Sequence, residues 1–251
     1  AEVLDRALEV ARDPNAPIKK IRVFDFDDTL ARTKSNVLYT MPDGTTGKLT
    51  AEEFAKKGDA MLAEGAVWDF SEFNKVMEGK KGPLFEVAQK IQETRGTDDV
   101  FVLTARAAEA APAIKEFLDS VGLEIPIENI TGLGDSSPLA KSGWMVDKAA
   151  EGYNDFYFAD DHLGNVDAVD IAMSVIDVKS KTQQAKIKFS KSVGDTMNDI
   201  IYDKTGIESY KEYSSMRAKA KGRTKRSFSL IPSSAQDFGG LLYKLLAKGE
   251  K

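Results

Sequence analysis

Two aspartates, Asp25 and Asp27, stand two residues apart at the end of an apolar segment, residues 21–26. If the chain turns there, both side chains face one crevice beyond the end of a strand. A carboxylate can attack phosphorus and form an aspartyl-phosphate, and a second carboxyl can protonate the leaving oxygen and then activate water. Two close carboxylates repel each other, and a divalent cation offsets that repulsion; Mg²⁺ fits because it prefers oxygen ligands. The pattern therefore favours phosphoryl-transfer chemistry.

The composition of the chain leaves few other routes to catalysis. Its 251 residues include no cysteine and one histidine, His162. Disulfides, cysteine-ligated zinc, iron–sulfur clusters, thiol catalysis and a poly-histidine metal site are therefore excluded. The hydrophobic and charged fractions, 42% and 30%, are typical of a soluble globular protein. Catalysis would have to depend on carboxylates, lysine, hydroxyls and a hard metal ion.

Two further apolar segments end in polar residues. The segment VFVL precedes Thr104 and Arg106, and the segment FYFA precedes Asp160 and Asp161. Strands and helices alternate along this part of the chain, which predicts a doubly wound parallel α/β sheet. Ligands of such sheets bind beyond the carboxyl ends of the strands. We therefore expect the polar groups to meet at one edge of the sheet.

The elements that would position these groups follow from hydrophobic periodicity and turn residues. Helices are predicted at 2–12, 51–64, 71–78, 83–95, 107–121, 139–151 and 164–171. Strands are predicted at 21–26, 100–103, 126–131, 156–159 and 174–178. Residues 37–49 predict a hairpin with a Pro-Asp-Gly turn, and Thr50 with Glu53 predicts a capping box at the start of the second helix.

The segment VFDFDDTL, which contains Asp25, Asp27 and Thr29, resembles the DxDxT motif of the haloacid-dehalogenase-like (HAD) phosphatase superfamily. The resemblance implies a Rossmann-like fold and Mg²⁺ as the cofactor. It implies that Asp25 is the nucleophile and a metal ligand. It implies that Asp27 is the general acid/base and binds the metal through its backbone carbonyl. Thr29 is a candidate substrate-binding residue.

Two later segments resemble further motifs of the same superfamily, so that the resemblance covers roughly residues 20–178. FVLTAR is similar to the second motif, with Thr104 holding a phosphoryl oxygen. The alternative is that Thr104 only caps the helix that follows. Arg106 is a candidate for binding the substrate phosphate, the alternative being a solvated or ion-paired arginine. FYFADDH resembles the fourth motif, which implies that Asp160 and Asp161 bind the metal directly or through water.

The third motif of the superfamily is a lysine, for which the sequence offers two candidates. Lys141 lies 19 residues before Asp160 at the predicted start of a helix, and Lys148 lies 12 residues before it, near the middle of that helix. We favour Lys141 as the catalytic lysine, which would stabilise charge on the nucleophile and phosphate. Asn165 and Asp167 are both candidates for a further polar residue of the fourth motif.

Several residues near the motifs have a simpler structural explanation. The insert at about 31–95 corresponds to the cap or flap that covers the site in this superfamily, excluding water and selecting substrate. Its aromatic residues either line the substrate entrance or pack the cap: Trp68, Phe70 and Phe73. We interpret Asp28 as a loop or capping residue and His162 as a surface residue or a neighbour of the site.

The last part of the chain differs in charge from the rest. Residues 179–251 contain 16 basic and 7 acidic residues, which is a net charge of +9. Because the whole chain has a net charge of −5, residues 1–178 have a net charge of −14. Residues 217–226 hold six positive charges. Such a cluster can bind a nucleic-acid backbone or be a solvated linker. We interpret 1–178 as a HAD-like hydrolase domain and 179–251 as a basic, partly helical extension, with helices predicted near 192–203 and 235–247.

We therefore expect a magnesium-dependent phosphatase that hydrolyses a phosphorylated small molecule or nucleotide, a polynucleotide end included, through an aspartyl-phosphate. The alternative is a non-catalytic HAD-like binding or structural module. Because the chain begins at Ala1 rather than Met, we expect such a module to be a fragment of a larger assembly or polyprotein. No apolar run approaches the roughly 18 residues of a membrane helix, and no signal peptide is recognisable. The expected location is the cytoplasm, without membrane contact.

Overall fold

The structure is a computed structural model that describes residues 2–185. The chain divides into two compact units, one made of residues up to Val23 and from Ser137, the other of Phe24–Ser136. The predicted helices at 192–203 and 235–247 and the basic segment 217–226 lie outside the described residues.

The α-helices of the described residues are α1 (Glu2–Arg12), α2 (Ala51–Ala63), α3 (Phe85–Arg95), α4 (Ala111–Ser120), α5 (Pro138–Ala150) and α6 (Leu163–Ile176). The strands are β1 (Lys20–Phe24), β2 (Ala31–Arg32), β3 (Asn36–Thr40), β4 (Thr46–Thr50), β5 (Val67–Asp69), β6 (Lys80–Lys81), β7 (Val100–Thr104), β8 (Ile130–Gly132), β9 (Asp155–Asp160) and β10 (Lys179–Gln184). Short 3₁₀ helices span Ser71–Asn74, Ala108–Ala110 and Ile127–Asn129.

Five strands form a central parallel sheet in the order β10-β9-β1-β7-β8, flanked by helices. All residues of β7 and β9 are buried. Strands of a parallel sheet that is covered on both faces are buried on both sides, which is why their sequences are nearly continuous apolar runs. The expectation of an α/β fold is therefore confirmed, and the arrangement is consistent with a Rossmann-like fold.

The strand predicted at 174–178 is wrong. Helix α6 continues to Ile176 and ends at Asp177, whose φ of 63° is left-handed. The next sheet strand is β10, which starts at Lys179, the first residue of the predicted extension. Its sequence KSKTQQ is polar, and it forms a strand by pairing with β9. The hydroxyl of Tyr157 on β9 donates to Gln183 at 2.7 Å.

The unit formed by Phe24–Ser136 contains the predicted insert. Strands β4, β3 and β5 form an antiparallel sheet, and β2 pairs with β6. The hairpin predicted at 37–49 is confirmed as β3 and β4. The capping box is confirmed, because the Thr50 hydroxyl accepts from the Glu53 backbone N–H while the Glu53 carboxylate accepts from the Thr50 N–H.

The α-helix predicted at 71–78 is wrong, since only the 3₁₀ helix Ser71–Asn74 forms. Its backbone groups bind other parts of the chain instead of continuing a helical ladder. The carbonyls of Phe73 and Lys75 accept from the Arg106 guanidinium, and the Met77 carbonyl accepts from the Lys34 N–H. Tertiary hydrogen bonds therefore override the local helix propensity.

In the unit that holds both termini of residues 2–185, α5 packs against α1 and α6. Leu4 and Ala7 of α1 are buried, and the Arg6 side chain donates to the Ala150 carbonyl at 2.8 Å. Within residues 2–185, no helix combines the length and the apolar character needed to cross a membrane.

Candidate active site

Three neighbouring strands of the central sheet end in the predicted motif residues. Asp25 comes directly after β1, Thr104 is the last residue of β7, and Asp160 is the last residue of β9. Because β9, β1 and β7 are adjacent and parallel, these residues lie at carboxyl ends of the same sheet. This is the edge at which open α/β sheets bind ligands.

The loop after β1 turns tightly around Asp25. The N–H groups of Leu30 and Ala31 both donate to the Phe26 carbonyl at 3.0 Å. The buried Thr29 hydroxyl donates to Oδ2 of the buried Asp25 at 3.4 Å. Thr29 therefore contacts the predicted nucleophile directly, in addition to its predicted role in binding substrate.

Asp28 occupies the left-handed region in this loop, with φ of 57°, a conformation that aspartate tolerates better than most residues. Its N–H donates to the Ala31 carbonyl at 2.7 Å. Burial, followed by repulsion from Asp27, raises the pKa of Asp28, and Arg32 opposes the change. The loop position predicted for Asp28 is confirmed.

Arg106 forms a two-pronged ion pair with Asp27. Its Nε and Nη2 donate to Oδ2 and Oδ1 of Asp27, both at 2.7 Å. The arginine side chain is 3% exposed, whereas that of Asp27 is 35% exposed. A guanidinium fork matches a carboxylate in this way and fixes its orientation.

The remaining donors of Arg106 bind residues of the predicted insert. Nη1 donates to the backbone carbonyls of Phe73 and Lys75, and Nη2 also donates to the hydroxyls of Thr33 and Ser35. These partners and Asp27 together engage all five N–H groups of the guanidinium. The ion-paired alternative for Arg106 is therefore what the structure shows, and its binding of a phosphate stays a prediction.

Thr104 is buried at the end of β7, where its hydroxyl accepts from the backbone N–H of Arg106 at 3.1 Å. This hydrogen bond shapes the turn between the strand and the following segment. The next α-helix begins after Ala110 without a side-chain cap, so Thr104 is not a capping residue. Thr104 therefore orients the backbone that carries Arg106.

Lys141 and Asp160 form a buried ion pair. Their Nζ and Oδ2 atoms are 2.6 Å apart, and the side chains are 2% and 1% exposed. Lys141 lies in the first turn of α5, whose N-cap Ser137 accepts from the Ala140 N–H. Lys148 lies in the last turn and pairs with the exposed Glu151. Of the two candidate lysines, Lys141 is the one that contacts a motif carboxylate.

Asp160 is also held by residues at the start of α6, the helix that follows β9. The backbone N–H of His162 donates to Oδ1 at 2.8 Å, and Nδ2 of Asn165 donates to Oδ2 at 3.0 Å. Among the described residues, the buried atoms His162 Nδ1 and Asn165 Oδ1 have no hydrogen-bond partner. Burial lowers the pKa of His162, and although Asp160 opposes this effect, Lys141 adds to it.

Two carboxylates at the end of β9 could hold a metal ion. One oxygen each from Asp160 and Asp161 lie within 4.8 Å of each other. Hard divalent cations such as Mg²⁺ prefer such oxygen donors, and the unpartnered Oδ1 of the neighbouring Asn165 is a further oxygen of that kind. These residues fit a hard divalent cation. The metal contacts predicted for Asp25 and for the backbone carbonyl of Asp27 stay predictions.

The sequence motifs did not identify Thr33 and Ser35 as neighbours of Asp27. Thr33 donates its hydroxyl proton to Oδ1 of Asp27 at 3.0 Å, and Ser35 is buried beside Arg106. Both follow the first motif within the predicted insert. The signal available was two hydroxyl residues close after DxDxT, and it is weak because such residues are common in loops.

We predict that Lys141→Met destabilises the protein by about 3 kcal/mol, because it leaves the buried Asp160 carboxylate without its cation. The matched control, Lys148→Met, removes an ion pair whose acidic partner is exposed and should change stability by less than about 1 kcal/mol. Urea unfolding of both variants in metal-free buffer measures the difference. Equal loss in the two variants would show that the buried pair is not needed for stability.

We compared the chain with protein-family models, with curated proteins and with solved structures, and no match was found at any of the three levels. The resemblance to the HAD superfamily therefore depends on the motif residues and their positions in the fold.

Proposed function

We propose that this protein is a metal-dependent phosphohydrolase of the HAD type that acts on a phosphate monoester. The observation that carries the proposal is the position of the motif carboxylates in the fold, since Asp25 directly follows β1 and Asp160 and Asp161 come at the end of β9. Carboxylates in these positions are suited to a hard cation and, through it, to a phosphate. The buried Lys141 beside Asp160 supplies a further positive charge.

In the first step, a carboxylate oxygen of Asp25 attacks phosphorus, and the bond from phosphorus to the ester oxygen breaks. The leaving oxygen takes a proton from the Asp27 carboxyl and departs as an alcohol. The product is an aspartyl-phosphate on Asp25. The Thr29 hydroxyl donates to Oδ2 of Asp25 and holds the nucleophile in place.

In the second step, a water oxygen attacks phosphorus while its proton passes to the Asp27 carboxylate. The bond from phosphorus to the Asp25 oxygen breaks, which releases inorganic phosphate and restores both aspartates. Asp27 thus gives one proton and recovers one in each cycle.

The charges of the proposed site favour a phosphate dianion only when cations are present. A bound divalent cation would neutralise charge on the phosphate and on the carboxylates that hold it. Lys141 compensates Asp160, and Thr104, at the end of β7, is the hydroxyl proposed to hold a phosphoryl oxygen. These groups stabilise developing negative charge electrostatically.

Phosphorylated small molecules and nucleotides are the proposed substrates. A polynucleotide end is included because of the six positive charges in residues 217–226, which would add salt-dependent binding. The cytoplasm is the proposed location. The rival hypothesis, a non-catalytic HAD-like module, differs in that it binds a ligand without turnover.

We predict that Asp25→Asn abolishes phosphate release, because an amide cannot serve as the nucleophile. Release of phosphate is measured with Mg²⁺ across p-nitrophenyl phosphate, sugar phosphates, nucleotides and a 3′-phosphorylated oligonucleotide in a salt series. Asp119→Asn, which removes an exposed partner of Lys115 on α4, is the matched control and should retain activity. Turnover by Asp25→Asn equal to that of the control would contradict the proposal, and metal binding without turnover by the wild type would favour the non-catalytic module.

We predict that Mg²⁺ binding raises the thermal unfolding midpoint, because a ligand that binds the folded state stabilises it. Asp161→Asn should weaken Mg²⁺ binding by about tenfold or more through loss of a charged ligand, which corresponds to about 1.4 kcal/mol. Calorimetric titration of Mg²⁺ and melting curves measure both effects. Asp59→Asn, a change at an exposed position of α2, is the control, and equal Mg²⁺ affinity in the two variants would rule out a metal site at Asp161.

A further inference from the structure

We infer that Arg106 is a positioning residue that couples the 70–78 segment of the insert to the orientation of Asp27. The inference rests on the proposed function for its catalytic part and on contacts within Phe24–Ser136 for its structural part. The 70–78 segment means the 3₁₀ helix Ser71–Asn74 with its flanking residues. A single guanidinium binds both this segment and the proposed acid/base.

The N–H donors of Arg106 are divided between Asp27 and the 70–78 segment. Nε and Nη2 donate to the Asp27 carboxylate, and Nη1 donates to the Phe73 and Lys75 carbonyls at 2.8 and 2.7 Å. Charge-assisted hydrogen bonds are stronger than neutral ones. Displacement of the 70–78 segment would therefore strip Arg106 of two acceptors in a buried place, where unpaired donors are costly.

The Arg106 guanidinium lies close to two aromatic rings, those of Phe26 and Phe73. Its carbon is 5.4 Å from the Phe26 ring centre and 5.3 Å from the Phe73 ring centre. Phe26 lies between Asp25 and Asp27 in the first motif, and Phe73 belongs to the 70–78 segment. Cation–π attraction to both rings adds to the hydrogen bonds. Arg106 therefore contacts the first motif and the 70–78 segment through their aromatic side chains as well as through hydrogen bonds.

Hydrogen bonds also connect the 70–78 segment to residues 33–36. The Glu72 carboxylate accepts from the backbone N–H and the side-chain amide of Asn36, at 2.8 and 3.0 Å. Thr33 donates to Asp27 and accepts from Arg106. The Asp27 carboxylate is thus oriented by groups that are themselves held by the 70–78 segment.

The coupling gives the insert a catalytic consequence. With the 70–78 segment in place, Asp27 keeps the orientation needed to give a proton to the leaving oxygen. With the segment displaced, Arg106 loses its anchors and Asp27 loses its fixed position. A substrate that allows the segment to pack would therefore also complete the acid/base group, which is a form of substrate selection.

Hydrogen exchange tests the coupling without any reference to activity. The Phe73 and Lys75 amides donate to the Phe70 and Glu72 carbonyls, so their exchange reports opening of the segment. We predict that Arg106→Lys, which keeps the charge but lacks the fork, speeds this exchange by about tenfold. Asp27→Asn should act in the same direction, and the double variant should exceed neither single variant by much, because the two residues act as one unit.

Two further variants complete the exchange experiment. Arg22→Lys alters an arginine that is ion-paired with Asp155 instead and should leave exchange of the 70–78 segment unchanged. Thr33→Val removes a hydroxyl between Asp27 and Arg106 with little change in volume. We expect it to speed the exchange less than the other variants do, and it tests the coupling should those variants fail to fold. Unchanged exchange in Asp27→Asn, or additive effects in the double variant, would overturn the coupling.

Leaving-group dependence tests the catalytic part. p-Nitrophenyl phosphate has a leaving group that needs little protonation, whereas an alkyl phosphate such as glycerol 2-phosphate depends on the acid. Arg106→Lys should lower kcat for the alkyl ester by about tenfold more than for the aryl ester, with KM little changed. An increase of KM for both esters with kcat unchanged would instead show that Arg106 binds the phosphate directly. If the wild type hydrolyses neither ester, the proposed function fails, and the exchange experiment still decides the coupling.

Discussion

The chain buries acidic side chains where its apolar strands end, and each of those charges needs a compensating group. Asp160 is paired with Lys141 at 2.6 Å in a place where neither side chain reaches solvent. Asp27 is paired with Arg106. Because an unpaired buried charge is very costly, these two carboxylates depend on their cationic partners. The proposed chemistry depends in addition on a divalent cation, which the carboxylates at the strand ends are suited to bind.

The two ion pairs differ in what they leave accessible. Lys141 and Asp160 are both buried, which suits a permanent part of the framework. Arg106 is buried while Asp27 is about one-third exposed, so the arginine fixes the carboxylate from behind and leaves it able to reach a ligand. This asymmetry is consistent with an electrostatic role for Lys141 and with proton transfer by Asp27.

The sequence predicted those parts of the fold that depend on local patterns. Buried strands β7 and β9 read as apolar runs, and the polar residues that follow them lie at the strand ends. Strand β10 could not be predicted, because KSKTQQ has no apolar pattern and forms a strand through pairing with β9. The 71–78 helix failed for a related reason, since a distant arginine takes its carbonyls. Candidate site residues followed from motifs, whereas the partners of Arg106 depend on tertiary contacts that no spacing reveals.

The most direct test of the central claim is detection of the covalent intermediate on Asp25. Asp27→Asn should slow the second step more than the first when the ester is p-nitrophenyl phosphate, because its leaving group needs little acid help while water still needs a base. Acid quenching and peptide mass spectrometry of this variant should find phosphate on Asp25. Turnover without phosphate on Asp25, or phosphate on another residue, would contradict the account.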